Sequence, residues 1–269
     1  MEATDLLTPT RESIATTTEQ VADLVASIPD ATVLAHNCRW SLRDTAAHLI
    51  MAGGLLTDIA QGIPSPIESL APGYHGPEMA RRNADIAETD PGKLSRLLVD
   101  AVEGFLDATS DRPGDDPVIF HGAFPFTVAG VAGVLLGEEI LHGYDMATAL
   151  GRPWPIGPGE AALVLAAYAP AFGLCVNPER TRGYSGAYGI ELRGVGEMTV
   201  RFTDGVYGLE AAGAGPVDAT ISADPVAFLM VGAGRLSRYE AIALGLMSAG
   251  GDHPELALGF PDLFIYPGP

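Results

Sequence analysis

Gly-Glu-Glu-Ile-Leu-His-Gly-Tyr-Asp, residues 137–145, sets Glu138 and His142 four residues apart inside a stretch that otherwise reads as buried helix. In a helix that spacing puts the carboxylate and the imidazole one above the other on a single face. The face continues as Val131, Leu135, Glu138, His142, Asp145 and Ala149, which keeps the 3/4 step of a core-facing seam. Ionisable groups are costly in such a seam unless each finds a partner. An i, i+4 ion pair would satisfy these two, and so would a metal ion bound by both.

His48 lies in another apolar helical stretch, 90 residues before Glu138, on a face shared with Asp44, Thr45, Met51, Ala52 and Leu55. Alone it reads as a hydrogen-bonded core histidine. Two helices that each offer inward polar groups change the balance, because bundle cores are where such metal sites are built. The expected ligands are therefore His48, Glu138 and His142. Two imidazoles and one carboxylate favour a borderline divalent ion, Zn2+ by default, with iron, nickel or manganese as alternatives. Three protein ligands leave a coordination position open, as catalytic sites do. Glu139 falls off the stripe and is expected to be solvated or to support a ligand. Asp145 stays on the stripe, where it suits either orienting a ligand imidazole or a local helix-end hydrogen bond. His36, His75, His121 and His253 fall in loops or beside glycine and proline, with His75 and His121 best placed to line a mouth.

Around this core the first 150 residues read as helices joined by turn-rich segments. Ile14, Val21, Leu24, Val25 and Ile28 give a helix over 11–28, closed by Pro29-Asp30. Ser41 caps a second helix that runs to Gly62, with Asp44 three residues on to complete a capping box. Four prolines and two glycines make 63–77 a loop. A third helix is expected over 78–109, broken or bent near Asp90-Pro91-Gly92, then a loop over 110–117 and a nearly all-apolar helix over 126–150. Residues 152–159 hold three prolines and two glycines and read as a linker. Beyond a helix over 160–172 the period changes to two, in 188–193 and 198–202, with Asp204-Gly205 as a hairpin turn. A short strand at 219–222 and helices from Asp224 and over 237–247 complete an α+β half. The fold class is thus α+β, with a helical part over 1–151 and an α+β part over 152–269.

The chain has 269 residues, is 47% hydrophobic, carries a formal charge of −19 and contains one lysine, Lys93. With a pI near 4.5, such a surface repels phosphate backbones and anionic lipid, so neither nucleic acid nor membrane is an expected partner. No run approaches 18 uninterrupted apolar residues, and Met1-Glu2-Ala3-Thr4-Asp5 is acidic, which predicts a soluble cytoplasmic protein. Cys38 and Cys175 read as reduced, half-buried thiols. There is no Cys-x-x-Cys, no Gly-x-Ser-x-Gly elbow and no Gly-x-Gly-x-x-Gly at a strand-to-helix junction.

The strings Trp40-Ser-Leu-Arg-Asp-Thr-Ala-Ala-His48-Leu49 and Glu138-Glu-Ile-Leu-His142-Gly-Tyr-Asp145 together resemble the two signature segments of the mycothiol-dependent maleylpyruvate isomerase family. Val217 to Ser222, Gly234-Arg235 and Gly251 to Phe260 resemble its C-terminal half. The resemblance implies a DinB-like four-helix metal-binding bundle followed by a sterol-carrier-like domain. It also implies His48, Glu138 and His142 as ligands, and a low-molecular-weight thiol, mycothiol, as co-substrate with a small electrophile. In that family the thiolate adds to an activated double bond, rotation follows and elimination restores the bond; other relatives are S-transferases. Arginines bind substrate carboxylates, a role that falls by position to Arg82 (or Arg81) and Arg235, with surface ion pairs as the alternative for each. Guanidinium suits this work by its bidentate fork. The expected function is a metal-dependent, thiol-using isomerase or S-transferase acting as a monomer or homodimer. The alternatives are a metal-assisted hydrolase using water at the open position and a non-catalytic carrier of an apolar ligand.

Overall fold

The computed structural model describes residues 3–265. The chain divides between Ile156 and Gly157, inside the Pro/Gly-rich stretch, into two compact units. The first contains α1 (Ala3–Ala26), α2 (Leu42–Ala60), α3 (Pro72–Ala84), α4 (Pro91–Ala108), a hairpin of β1 (Pro117–Ile119) and β2 (Pro125–Thr127), and α5 (Val128–Ala149). Helices α1, α2, α4 and α5 pack pairwise: α1 against α4 and α5, and α2 against the same two. α3 lies against α2.

Local chemistry explains these boundaries. Ser41 caps α2, its hydroxyl accepting the Asp44 N–H at 3.1 Å and donating to the Asp44 carboxylate at 2.8 Å. Helix α1 begins eight residues before the expected start, because Leu7 extends the buried line of Ile14 and Val21 by one more heptad. The third helix is two separate helices. Asp90 caps α4 by accepting the Lys93 N–H at 2.9 Å and Pro91 takes the first helical position, where its missing N–H costs nothing. The same use of proline at Pro72 starts α3 inside the stretch expected to be loop. The short β1–β2 hairpin replaces the beginning of the expected last helix, which starts at Val128 with Thr127 as its cap.

α5 is the centre of this unit: of its residues only Glu138, Tyr144, Thr148 and Ala149 are not buried. Two of its glycines receive aromatic rings. A Cβ on Gly130 would lie 2.5 Å from the Phe126 ring, and one on Gly143 would lie 2.2 Å from Trp154, whose indole N–H donates to the Ile140 carbonyl at 3.1 Å. We expect Gly143→Ala to destabilise the protein by about 1–3 kcal/mol despite the better helix propensity of alanine. In a Trp154→Leu background the same change should become neutral or stabilising, which a double-mutant cycle of thermal unfolding would measure.

The second unit holds α6 (Pro158–Ala171), α7 (Pro178–Thr181), β3 (Gly186–Leu192), β4 (Gly196–Thr203), β5 (Val206–Ala211), β6 (Ala219–Ala223), α8 (Pro225–Gly232), α9 (Arg238–Ala243), β7 (Met247–Gly250) and α10 (Pro254–Gly259). The sheet runs β5-β4-β3-β6-β7, with β3 and β6 parallel and the other pairs antiparallel. Asp204 and Gly205 turn β4 into β5 with positive φ at both, as the Asp-Gly pair predicts. Tyr188, Phe202, Phe260 and Phe264 form the aromatic core, with ring centres 4.9–5.9 Å apart between successive partners. The helix expected over 237–247 stops at Ala243 because Gly245, at φ 69°, turns the chain, and Met247 begins an edge strand instead. The run Pro158–Cys175 is long and apolar enough to cross a membrane by length and composition alone, a test that core helices of soluble proteins also pass.

Candidate metal centre

The capped start of α2 places His48 in its second turn, 5% exposed, and the buried course of α5 brings Glu138 and His142 opposite it. His48 Nε2 and Glu138 Oε2 are 3.1 Å apart, and His142 Nε2 is 3.4 Å from the same carboxylate oxygen. One ligand atom from each of the three lies within 4.8 Å of the others, and this is the one such His/Cys/Asp/Glu group among the described residues. The imidazoles meet edge to face at 4.9 Å, and the Trp40 indole covers both, 4.7 Å from His48 and 6.0 Å from His142. Glu138, 28% exposed at its side chain, is the member of the set that reaches the outside.

The surroundings fit a bound divalent ion. Asp145, fully buried, sets its carboxylate 3.4 Å from Nδ1 of His142, the arrangement that fixes a ligand imidazole and raises its basicity. Burial acts to push the Glu138 carboxyl up, but hydrogen bonds and charge from His142 and His48 outweigh it and hold the group well below the carboxylate range. Burial likewise acts to lower His142, and Asp145 with Glu138 outweighs it, so the imidazole sits above its ordinary value. Two imidazole nitrogens and an ionised carboxylate oxygen, close together and largely dry, are a zinc-type donor set.

The other sequence candidates are distributed as follows. Glu139 is neither solvated nor beside the metal ligands: it is fully buried, its carboxyl 2.6 Å from Thr18 Oγ1 on α1. The 3/4 stripe passes through Glu138, so its neighbour points the other way, into the packing of α5 on α1. Arg82 gives its Nε–H to Glu78 at 2.7 Å, and Arg81, more exposed, pairs with the same carboxylate at 2.8 Å. Arg235 lies in the second unit, its Nη1 donating to the Ala233 carbonyl at 2.6 Å. His36 and His253 are exposed. His75 and His121 are neighbours, ring centres 6.5 Å apart, and both lie within electrostatic reach of Glu138. Cys38 accepts the Trp40 N–H at 3.4 Å, and burial pushes the Cys175 thiol up to about 11, which leaves it inert. Helical spacing does not point to Trp40 as a wall over the ligands, since the residue precedes α2; its one sequence signal is an aromatic eight positions before an inward histidine.

The fold is thus mixed α+β, and it carries a buried His/Glu/His set of metal-ligand type. It is the fold of the mycothiol-dependent maleylpyruvate isomerase: the solved structure of that enzyme matches with a TM-score of 0.52 at 12% identity, covering 91% of this chain and 92% of the other. A histidine-to-alanine variant of the same enzyme matches over the same shares with a TM-score of 0.50 at 12% identity. A stereoselective inverting sec-alkylsulfatase from Pseudomonas sp. matches with a TM-score of 0.35 at 15% identity, over 69% of this chain and 31% of its own. No family model and no curated protein matches the sequence.

Proposed function

We propose that this protein is a zinc enzyme of two domains, a DinB-like four-helix bundle over 1–151 and a sterol-carrier-like domain over 152–269, working in the cytoplasm as a monomer or homodimer. It uses a low-molecular-weight thiol, mycothiol, to isomerise a small electrophile or is an S-transferase that leaves the thiol attached to it. The observation that carries this reading is the approach of His48, Glu138 and His142 to within 4.8 Å, on a fold shared with a thiol-dependent isomerase. When bound, the ion supplies a Lewis acid that holds a coordinated thiol deprotonated near neutral pH.

The chain's own residues supply the rest. His48, Glu138 and His142 hold the ion, Asp145 keeps the His142 ring oriented through Nδ1, and Trp40 shuts water out on one side. Glu78 engages Arg82 through Nε, so the outer fork of that guanidinium is the part proposed to take a substrate carboxylate. Arg235 is proposed for the same role from the second domain. Its replacement by alanine should lower turnover while leaving metal content and melting temperature unchanged.

Binding of mycothiol to the zinc-loaded protein is expected to release about one proton per site near pH 7, because the thiol loses its proton on coordination. Calorimetry in buffers of different ionisation enthalpy counts that proton. A zinc form that binds no thiol yet hydrolyses an ester or amide would replace this reading with a hydrolase. Tight binding of an apolar ligand by the metal-free chain, with no thiol binding by the loaded one, would replace it with a carrier.

A further inference from the structure

His75 and His121 lie beside the ligand set without belonging to it. His121 sits at the tip of the β1–β2 hairpin, 7% exposed and stacked on Phe120 at 4.0 Å. The tip is held in an unusual backbone. Gly122 and Ala123 both have positive φ, 63° and 61°, a conformation that alanine adopts only under constraint. Two ties to the α2–α3 connection supply the constraint. The Gly122 N–H donates to the Ile67 carbonyl at 2.9 Å, and Ser65 Oγ lies 2.6 Å from His121 Nδ1.

Ser65 Oγ accepts the Ile67 N–H at 3.1 Å, and its own hydrogen is free to be donated to His121 Nδ1. A neutral ring that accepts it carries its proton on Nε2 and is a donor there. His75, early in α3, faces this ring, and its Nδ1 is buried with no hydrogen-bond partner among the described residues. Burial disfavours the charged form of both rings, and His121 is pushed down to about 3 by burial, with the neighbouring His75 adding to the effect. Two neutral imidazoles close to the candidate ligands, one of them tied by Ser65, are suited to an oxygen whose charge grows during reaction.

We propose that His75 and His121 form an oxygen-binding subsite beside the metal ligands that takes the carbonyl oxygen of the electrophile and stabilises negative charge on it. The inference rests on the thiol-adding activity proposed above. In that addition a sulfur lone pair forms the S–C bond at the β-carbon, the C=C pair becomes the bond between the α-carbon and the carbonyl carbon, and the C=O pair moves onto oxygen. His121 keeps its proton throughout and donates a hydrogen bond to that oxygen. Expulsion of the thiolate reverses each shift.

The test uses the full-length, zinc-loaded protein and benzylideneacetone, an α,β-unsaturated ketone whose ultraviolet band moves to the red when its oxygen is polarised, with no thiol present. The wild-type protein should shift the band. His121→Phe and His75→Phe should each lose at least about half of the shift, with zinc content unchanged. His121→Gln, which keeps an N–H near the place of Nε2, should restore most of it; this rescue separates hydrogen bonding from packing. A band at its solution position in the wild type overturns the proposal. So does an undiminished shift in a zinc-loaded His75→Phe/His121→Phe variant, since the metal alone would then be the polarising group. If the band shifts and depends on the histidines while calorimetry finds no thiol binding, the subsite stands and the thiol reading falls.

Discussion

Replacing His48 and His142 together by alanine is expected to reduce bound metal from about one equivalent per chain to background. Their Nε2 atoms are two of the three donors gathered within 4.8 Å, and the remaining carboxylate of Glu138 is 28% exposed, an ordinary acidic side chain without them. Asp145→Asn should keep the ion but weaken its binding by about 10–100-fold, because the carboxylate touches the ring nitrogen of His142 and not the ion. Glu139→Gln should leave metal content as it is, since that carboxyl faces Thr18 on α1. The pH dependence follows from His142. Asp145 and Glu138 outweigh burial and hold it above its ordinary value, so proton and ion compete for this imidazole up to a higher pH than for a free one. Apparent affinity should therefore fall as pH is lowered, with protons released on binding. Elemental analysis after exhaustive dialysis reads each of these variants. Full occupancy in the double variant would falsify the ligand assignment.

How much of this is legible in the sequence depends on whether a feature is periodic. The inward direction of Glu138 and His142 follows from helical geometry, because a 3/4 stripe of buried residues fixes the direction of every side chain on it, whereas adding His48 as a candidate ligand needs the further argument that bundle cores hold such sites. The Ser41 cap, the Pro91 start and the Asp204-Gly205 turn are local chemistry and are legible for that reason. The errors lie where two local signals compete. The prolines of 63–77 read as loop, but Pro72 serves as a first helical residue and opens α3. Residues 117–127 contain two three-residue strands too short for any period to register, so the hairpin that carries His121 leaves no trace in the pattern. The expectation for Glu139 fails for another reason. Its direction off the ligand stripe is legible, but not that α1 occupies the space it enters, which is a tertiary fact.

That buried carboxyl yields the largest stability effect expected here. Burial pushes Glu139 up to about 8, with the bond to Thr18 offsetting part of the rise. Thr18 Oγ1 lies 2.8 Å from the Ile14 carbonyl and 2.6 Å from Glu139, and its single hydrogen can serve one of them. Given to Glu139, that hydrogen favours the ionised carboxyl, so this bond opposes burial, and burial prevails. The folded chain therefore holds a proton that the unfolded chain gives up near pH 4.5. Between that value and about 8 Glu139 binds more protons in the native state, so its contribution to stability falls as pH rises, by about 1.4 kcal/mol per pH unit, and levels off above about 8. Carboxyls held low, such as Glu138 and Glu78, act with the opposite sign below the ordinary carboxylate range, and His121, held down at about 3, acts with the opposite sign up to its ordinary value of 6.5, so the Glu139 effect is read from the difference between the wild type and a Glu139 variant. Glu139→Gln removes the proton cost but leaves an amide incompletely bonded in an apolar site, a penalty of about 1–3 kcal/mol. The net expectation at about pH 8 is a gain of about 2 kcal/mol, shrinking to nothing and then reversing as pH falls toward about 5. Denaturant unfolding of both proteins across about pH 5–9 measures the difference directly. A difference that does not change with pH would mean that Glu139 titrates alike in the folded and unfolded chain, and that the pocket against α1 is wet.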